Sequence, residues 1–360
     1  MHATPAAQQS ATPHDTAAQQ PRPRVTVWLR RVSPGLALCL AAAGGASALS
    51  LVLPGVSPLI IAIVLGVLAA NTGVLPHAAI PGIDFSAKKL LRAGIVFLGL
   101  QLVLGDMLAL GAPMLLVIVC VVAGGLIGTV ALGRLLRVPT QLTLLIACGF
   151  SICGAAAVAG AAGVTDPDDA HEQHTVTAVA LVVIFGTLMI PLVPLVAPLI
   201  GLSNDQAGMW AGASIHEIAQ VVAVGGILGG TAFTLAVVVK LARVLLLAPL
   251  MAVLSVRMRR AALASPETAG SAPKLPPIVP PFIIGFLAMV LLRSCVPLPE
   301  AALATGQLLQ TVLLAAAMFG LGCGVKISSL MRVGGRPFAL AALSTVLVAG
   351  IAYAGVLLVG

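Results

Sequence analysis

Five side chains capable of chemistry stand inside stretches apolar enough to cross a membrane. The run GASIHEIAQVVAVGG, residues 212–226, carries His216, Glu217 and Gln220, and GTAFTLAVVVKLARVLL, residues 230–246, carries Lys240 and Arg243. Offsets of three and four residues share a helical face, so the three polar groups of the first run are neighbours. Counted outward from a turn at Gly229 and Gly230, Glu217 stands as deep as Lys240 and Arg243, and all three fall near the middle of a bilayer. An isolated charge at that depth costs roughly 2.5–3.5 kcal/mol, so mutual pairing is expected, Glu217 with Arg243 first.

Two cations against one carboxylate leave a positive charge over, and that surplus predicts an anionic ligand. Arg243 can hold an oxyanion through two parallel bonds, with Lys240 as a second contact and Gln220 as a local donor or acceptor. Glu217 and His216 are then the groups that take up and release a proton. The bland rival is an ion pair that merely locks two helices. A chemical rival is also written here, because HEIAQ is one residue short of HExxH, the helix-borne zinc motif of metalloproteases. Gln220 stands where the second His ligand is needed, Gln is a poor zinc ligand, and no third-ligand motif follows. No metal, cofactor or enzymatic activity is therefore expected.

The anion needs a binding surface as well as a charge. LLIACGFSICGAAAVAGAAGV, residues 144–164, clusters Gly149, Ser151 and Gly154 at its midpoint, with Cys153 between the last two. Gly costs a helix about 1 kcal/mol relative to Ala and Ser favours a cap, so the helix is expected to unwind there. An unwound span presents free N–H groups and a positive dipole end to an anion. The rival reading is that small residues only let helices pack closely. MFGLGCGV, residues 318–325, is a second such run. It lies five spans later and runs the opposite way, the parity of an inverted repeat of five helices, the second to sixth spans matching the seventh to eleventh.

The elements that position these groups follow from composition. The 360 residues are 59% hydrophobic and 8% charged, with a mean hydropathy of +1.12. About a quarter charged is usual for a soluble domain, so this chain cannot cover a water-facing surface and reads as an all-α polytopic membrane protein. Breaks at Pro, Gly and charge predict about eleven spans, at 34–53, 56–75, 88–105, 111–133, 139–164, 175–200, 206–228, 231–254, 278–296, 302–323 and 338–359. The charge of +8 sits in loops rather than on a patch, with Arg30 and Arg31, Lys88 and Lys89, Arg134 and Arg137, Arg257 to Arg260, and Lys326 to Arg336 all falling on one side. That asymmetry predicts a cytoplasmic N-terminus and a periplasmic C-terminus in a bacterial inner membrane, and it explains the charge without nucleic acid. The acidic stretch TDPDDAHEQH, residues 165–174, falls outside in the same scheme. Residues 1–33 read as a disordered cytoplasmic tail, 34–360 as one transmembrane domain, and about 255–277 as its longest cytoplasmic loop. The six cysteines read as small buried hydrophobes.

Four stretches in order, LLRAGIVFLGLQL, CGFSICGAAAVAGAAGV, GASIHEIAQVVAVGG and VVVKLARVLLLAP, resemble the YeiH-like family of bacterial inner-membrane proteins named for sulfate export. The resemblance runs from about residue 34 to the C-terminus. It implies a transporter akin to bile-acid symporters and sodium/proton antiporters, with crossed discontinuous helices and inverted repeats. By resemblance Ser151, Cys153 and Gly154, then His216, Glu217 and Gln220, then Lys240 and Arg243 are the site residues. Phe150 departs from the small or polar residue expected before SICG. The expected activity is secondary transport of a small anion, sulfate or an organic sulfur oxyanion, with the lipid bilayer and a coupling proton or sodium ion as partners, and a homodimer compatible with it. No P-loop pattern supports an ATP-driven pump. A cation/proton antiporter exchanging at Glu217, and a structural or regulatory membrane protein without transport, are the rivals.

Overall fold

The structure, a computed structural model, describes residues 24–53, 57–166, 170–264, 281–325 and 334–359, and among the described residues there are helices and no strand. In chain order they are α1 (Arg24–Val52), α2 (Pro58–Thr72), α3 (Ile80–Phe85) and α4 (Leu91–Leu98) joined through a π-helical turn, α5 (Leu104–Ala109), α6 (Gly111–Leu135), α7 (Thr140–Ser151), α8 (Ala155–Thr165) and α9 (Glu172–Leu199). Then come α10 (Asn204–Ser214), α11 (Ile218–Leu228), α12 (Gly230–Leu245), α13 (Leu247–Ala264), α14 (Pro281–Cys295), α15 (Glu300–Gly324) and α16 (Gly335–Val359). Among the described residues, six helical stretches are long and apolar enough to cross a membrane: Trp28–Val52, Gly111–Leu135, Glu172–Leu199, Gly230–Arg260, Glu300–Gly324 and Gly335–Val359. Their outward faces carry Leu116, Ile127, Leu195 and Leu308, all exposed, as helices do when acyl chains rather than water surround them.

Two apolar runs read as spans are instead helical hairpins. A Cβ placed on Gly149 in α7 would stand 2.6 Å from Val158 Cγ2 in α8. Those residues would be about 13 Å apart along one continuous helix. At the open end of the same hairpin the Gln141 side chain lies beside Asp166. The second hairpin closes likewise, Asn204 Nδ2 at the start of α10 donating to Leu228 O at the end of α11 over 3.2 Å. The arms of 12, 11, 11 and 11 residues are each roughly 17 Å long, about half a hydrocarbon core.

The helix between the hairpins fixes their relation. α9 has 28 residues, about 42 Å of helix. It leaves the open end of the first hairpin and reaches the open end of the second. Near its middle, Val182 packs on Gly149 and Gly186 packs on the Gln220 side chain. The hairpins therefore approach from opposite ends of α9, and their tips meet halfway. α12 lies alongside α10 and runs the same way, with Cβ positions on Gly208 and Gly212 each 2.3 Å from the carbonyls of Ala232 and Ala236. That contact carries Lys240 and Arg243 to the tips.

Several expectations are corrected. The fifth and seventh runs do not traverse, because each turns back at mid-length; apolar content alone does not distinguish one full crossing from two half-length arms. Asp166 returns to the end where α7 began, so Asp166 and Glu172 of the acidic stretch lie at the same end as Arg134 and Arg137 rather than opposite them; residues 167–169 lie outside the described residues. The tenth run is unbroken helix through Gly324. Its glycines serve packing, since a Cβ on Gly322 would stand 2.3 Å from Ile63 O and one on Gly66 of α2 would stand 2.2 Å from Phe319 O. α1 starts at Arg24, not Pro34, and Pro34 lies inside it. Proline there frees the carbonyl of Arg30, which the Ser33 hydroxyl reaches at 3.5 Å. The rest of the expected tail, residues 1–23, residues 265–277 of the expected long loop and residues 278–280 of the expected ninth span lie outside the described residues, while α13 carries the chain as helix to Ala264.

Candidate functional site at the hairpin tips

The first tip is Ile152, Cys153 and Gly154. Helix α7 ends at Ser151, Ile152 turns off it with φ −119° and ψ −87°, and Gly154 takes φ +73° and ψ −135° before α8 begins. That last conformation is open to glycine and strained for any other residue. The second tip, Ile215, His216 and Glu217, contains no glycine. Ile215 and Glu217 are both extended, with ψ of 147° and 148°. The preceding Ser214 turns its hydroxyl back onto Trp210 O at 2.6 Å. Glu217 starts α11 in a reciprocal capping box with Gln220.

Both cations are fully buried and both are spent on the carbonyls at the tips. Lys240 Nζ donates to Ile152 O at 2.7 Å, Ile215 O at 2.8 Å and His216 O at 2.6 Å. Three carbonyl acceptors need three N–H donors, which is the ammonium form. Arg243 Nη1 donates to Gly212 O, Ala213 O and Ile215 O at 3.2, 2.6 and 3.1 Å, and Nη2 to Phe150 O and Ser151 O at 3.2 and 2.8 Å. These oxygens are the ones a helix C-terminus leaves without an N–H partner, so each cation also sits at the negative poles of α7 and α10. The ion pair expected between Glu217 and Arg243 is not formed. Arg243 faces the ends of the arriving helices, while Glu217 faces the starts of the returning ones.

Glu217 Oε1 accepts from Ala155 N at 3.0 Å, so one carboxylate caps α8 in the neighbouring hairpin as well as its own α11. Gln220 Oε1 accepts from Glu217 N at 3.1 Å. His216 places Nδ1 at 3.2 Å from Phe150 O and Nε2 at 3.1 Å from the Thr345 hydroxyl of α16. A carbonyl only accepts, which assigns the ring proton to Nδ1. Ser151 Oγ, Gln220 Nε2 and Arg243 Nε are buried without a partner. Glu217 and Cys153 each keep 8% exposure, while Ser151, His216, Gln220, Lys240 and Arg243 have none. Every residue expected in the site is thus within the two tips or against them.

What the sequence reading did not single out is the carbonyl set, the hydroxyl of Thr345, and Gly186 against Gln220. A signal for the second tip was present. Gly149-Phe-Ser-Ile152 recurs as Gly212-Ala-Ser-Ile215, 63 residues later, and the carbonyls of Phe150 and Ala213 and of Ile152 and Ile215 hold the same cations in pairs. Among the described residues no group of three or more His, Cys, Asp or Glu is placed to hold a metal. In the HEIAQ stretch His216 and Gln220 turn to Phe150, Thr345 and Glu217 N instead.

A model of the family described as conserved hypothetical protein 698 matches residues 34–341. A UPF0324 membrane protein of Corynebacterium glutamicum is 60% identical over 92% of this chain and 93% of its own. Similar proteins of Pseudomonas aeruginosa and Bacteroides thetaiotaomicron, also named UPF0324 membrane proteins, are 39% and 37% identical. They cover 88% and 80% of this chain, and 91% and 85% of their own lengths. No solved structure matches the chain.

Proposed function

From the premise that the chain belongs to the conserved hypothetical protein 698 family of membrane proteins, we propose that it is a secondary transporter of a small anion, sulfate or an organic sulfur oxyanion, coupled to a proton. The observation that carries this is the charge arrangement at the tips. Helix ends carry roughly half a unit charge each, two positive and two negative here, and cancel among themselves. Lys240 and Arg243 against Glu217 then leave one positive charge in a buried site, and two once Glu217 takes up a proton, which a bound oxyanion such as sulfate neutralises.

In this reading Lys240 and Arg243 act on the anion through the field they create, and Arg243 Nε is the one N–H they still have free. Direct contacts come from the tips: the Ser151 hydroxyl, the Gln220 amide, Cys153, and the N–H groups that begin α8 after Gly154. The substrate competes with the Glu217 carboxylate for Ala155 N. Protonation of Glu217, with His216 beside it, releases that N–H and admits the anion, so a proton accompanies each cycle. The two hairpins form an inverted pair of re-entrant units on either side of α9, and alternating access is their movement against the flanking helices. In this reading the other nine apolar runs traverse while the fifth and seventh turn back, which keeps an odd count and agrees with a cytoplasmic N-terminus and a periplasmic C-terminus; the base of α7 and α8 is then cytoplasmic.

The test is uptake of labelled sulfate and a panel of organosulfonates into proteoliposomes across imposed pH gradients. Saturable flux that follows the gradient, and flux in Glu217→Gln that no longer does, is the expected result. The second reading, cation/proton exchange at Glu217, is favoured by the burial of that carboxylate at the tips without an ion pair to Arg243. Proton movement driven by sodium or potassium, with no flux of any oxyanion, establishes it instead.

A further inference from the structure

We propose that Lys240 and Arg243 are tethered counter-cations: they permanently fill a carbonyl cradle that a soluble monovalent cation would otherwise occupy, so the protein needs no sodium or potassium at its site. The class of ligand that fits the cradle once Lys240 is shortened is a small monocation, with ammonium and methylammonium the best matches.

Discontinuous membrane helices leave carbonyls without N–H partners at mid-depth, and such carbonyls are where coupling cations bind in transporters. Here two arriving helices end within reach of each other, and seven carbonyl oxygens converge, from Phe150, Ser151, Ile152, Gly212, Ala213, Ile215 and His216. Left bare in a dry interior, each would carry the penalty of a desolvated acceptor with no hydrogen bond. Lys240 and Arg243 answer all seven. The arrangement is shared between the hairpins, three carbonyls coming from the first and four from the second. Lys240 takes Ile152 O from one tip and Ile215 O from the other, and Arg243 takes Phe150 O and Ala213 O, each pair 63 residues apart in the recurring Gly-X-Ser-Ile. Cations placed where the two tips meet hold them together as a bound ion would, with the difference that they cannot leave.

Lys240 Nζ at 2.6–2.8 Å from three carbonyl oxygens has the contacts of an ammonium ion in an oxygen cage. Cutting the side chain back to Ala removes the charge and opens a channel the length of a propylamine stem, with the same three oxygens at its end. Methionine removes the charge and keeps the stem filled. The two variants therefore separate loss of charge from loss of volume.

The experiment is thermal unfolding of the purified full-length protein, followed by tryptophan fluorescence, in choline, sodium, potassium, ammonium or methylammonium chloride at one ionic strength. Wild type is expected to unfold at the same temperature in all five. Lys240→Ala is expected to unfold earlier in choline and to recover saturably with ammonium or methylammonium, and Lys240→Met is expected not to recover. A saturable rise of the wild-type midpoint with sodium or potassium overturns the proposal. So does a Lys240→Ala protein that no cation restores, including one that fails to fold in every salt; one that can be purified only in ammonium counts as restored. The readout is stability rather than flux, so the cradle and the choice of an anion as cargo stand or fall separately.

Discussion

The side chain of Glu217 occupies the space that a side chain at Gly154 would need: a Cβ there would stand 2.2 Å from Glu217 Cγ and 2.8 Å from its Oε1. The first tip thus lacks a side chain so that the carboxylate of the second can reach Ala155 N. Gly154→Ala meets two obstacles at once, the clash and a φ of +73°. Strain of this kind costs about 1–3 kcal/mol before the clash is counted. The expected outcome is a lower unfolding temperature and lost transport. Gly226→Ala, where a Cβ would have nothing within 4 Å, is expected to change neither.

Gly186 plays the same part for Gln220. A Cβ on it would stand 2.1 Å from Gln220 Oε1. Gly186→Ala therefore pushes away the acceptor that satisfies Glu217 N, and an unsatisfied buried N–H costs about 1–3 kcal/mol. Because Glu217 is held through this capping box, the variant is expected to shift the pH dependence of transport as well as stability. A stability loss with an unchanged pH profile assigns Gly186 to packing alone.

How far the sequence exposes this site depends on what marks each break. The first tip is legible because Gly154 must take a left-handed φ, and a cluster of Gly and Ser announces it. The second tip is hidden because Ile215 and Glu217 break the helix with extended φ and ψ that any residue adopts. Its determinants are distant: Lys240 drawing on Ile215 O and His216 O, and Gln220 reaching back to Glu217 N. The membership of the site, from Ser151 to Arg243, was likewise written in polar residues placed where lipid excludes them. Their pairing was not. Counting depth puts Arg243 level with Glu217 but cannot show that hairpin tips turn the cation toward one set of helix ends and the carboxylate toward the other.

The unbroken α15 carries its own prediction. Gly66 and Gly322 let α2 and α15 touch backbone to backbone, with Cβ positions 2.2 and 2.3 Å from carbonyl oxygens of the facing helix. Backbone cannot turn aside as a side chain can, so Gly322→Ala forces the helices apart at an overpacking cost of about 1–3 kcal/mol. The unfolding temperature is expected to fall, while the pH dependence of any residual flux stays that of wild type. A changed pH profile with unchanged stability would return this run to the transport path.

At the open end of the first hairpin, Asp166 ties the start of α9 to the end of α8. Its carboxylate accepts from His171 N at 2.7 Å and from Ala170 N at 3.0 Å. Burial by itself would raise its pKa, but those two N–H groups, with Gln141 and His171 beside it, outweigh burial and hold it below the ordinary carboxylate value. A group depressed in the folded state contributes stability that is complete above its unfolded pKa of about 3.9 and is lost as pH falls through the lower folded value. Hydrogen exchange at Ala170 and His171, corrected for the intrinsic rate, is therefore expected to stay protected at neutral pH and to open only in acid below about 3.9. Asp166→Asn keeps an acceptor oxygen but removes the charge that strengthens both bonds. Its exchange at these two amides is expected to be faster than wild type at neutral pH and to lose the acid step. Equal protection in the two proteins at neutral pH shows that the turn is held by packing rather than by this carboxylate.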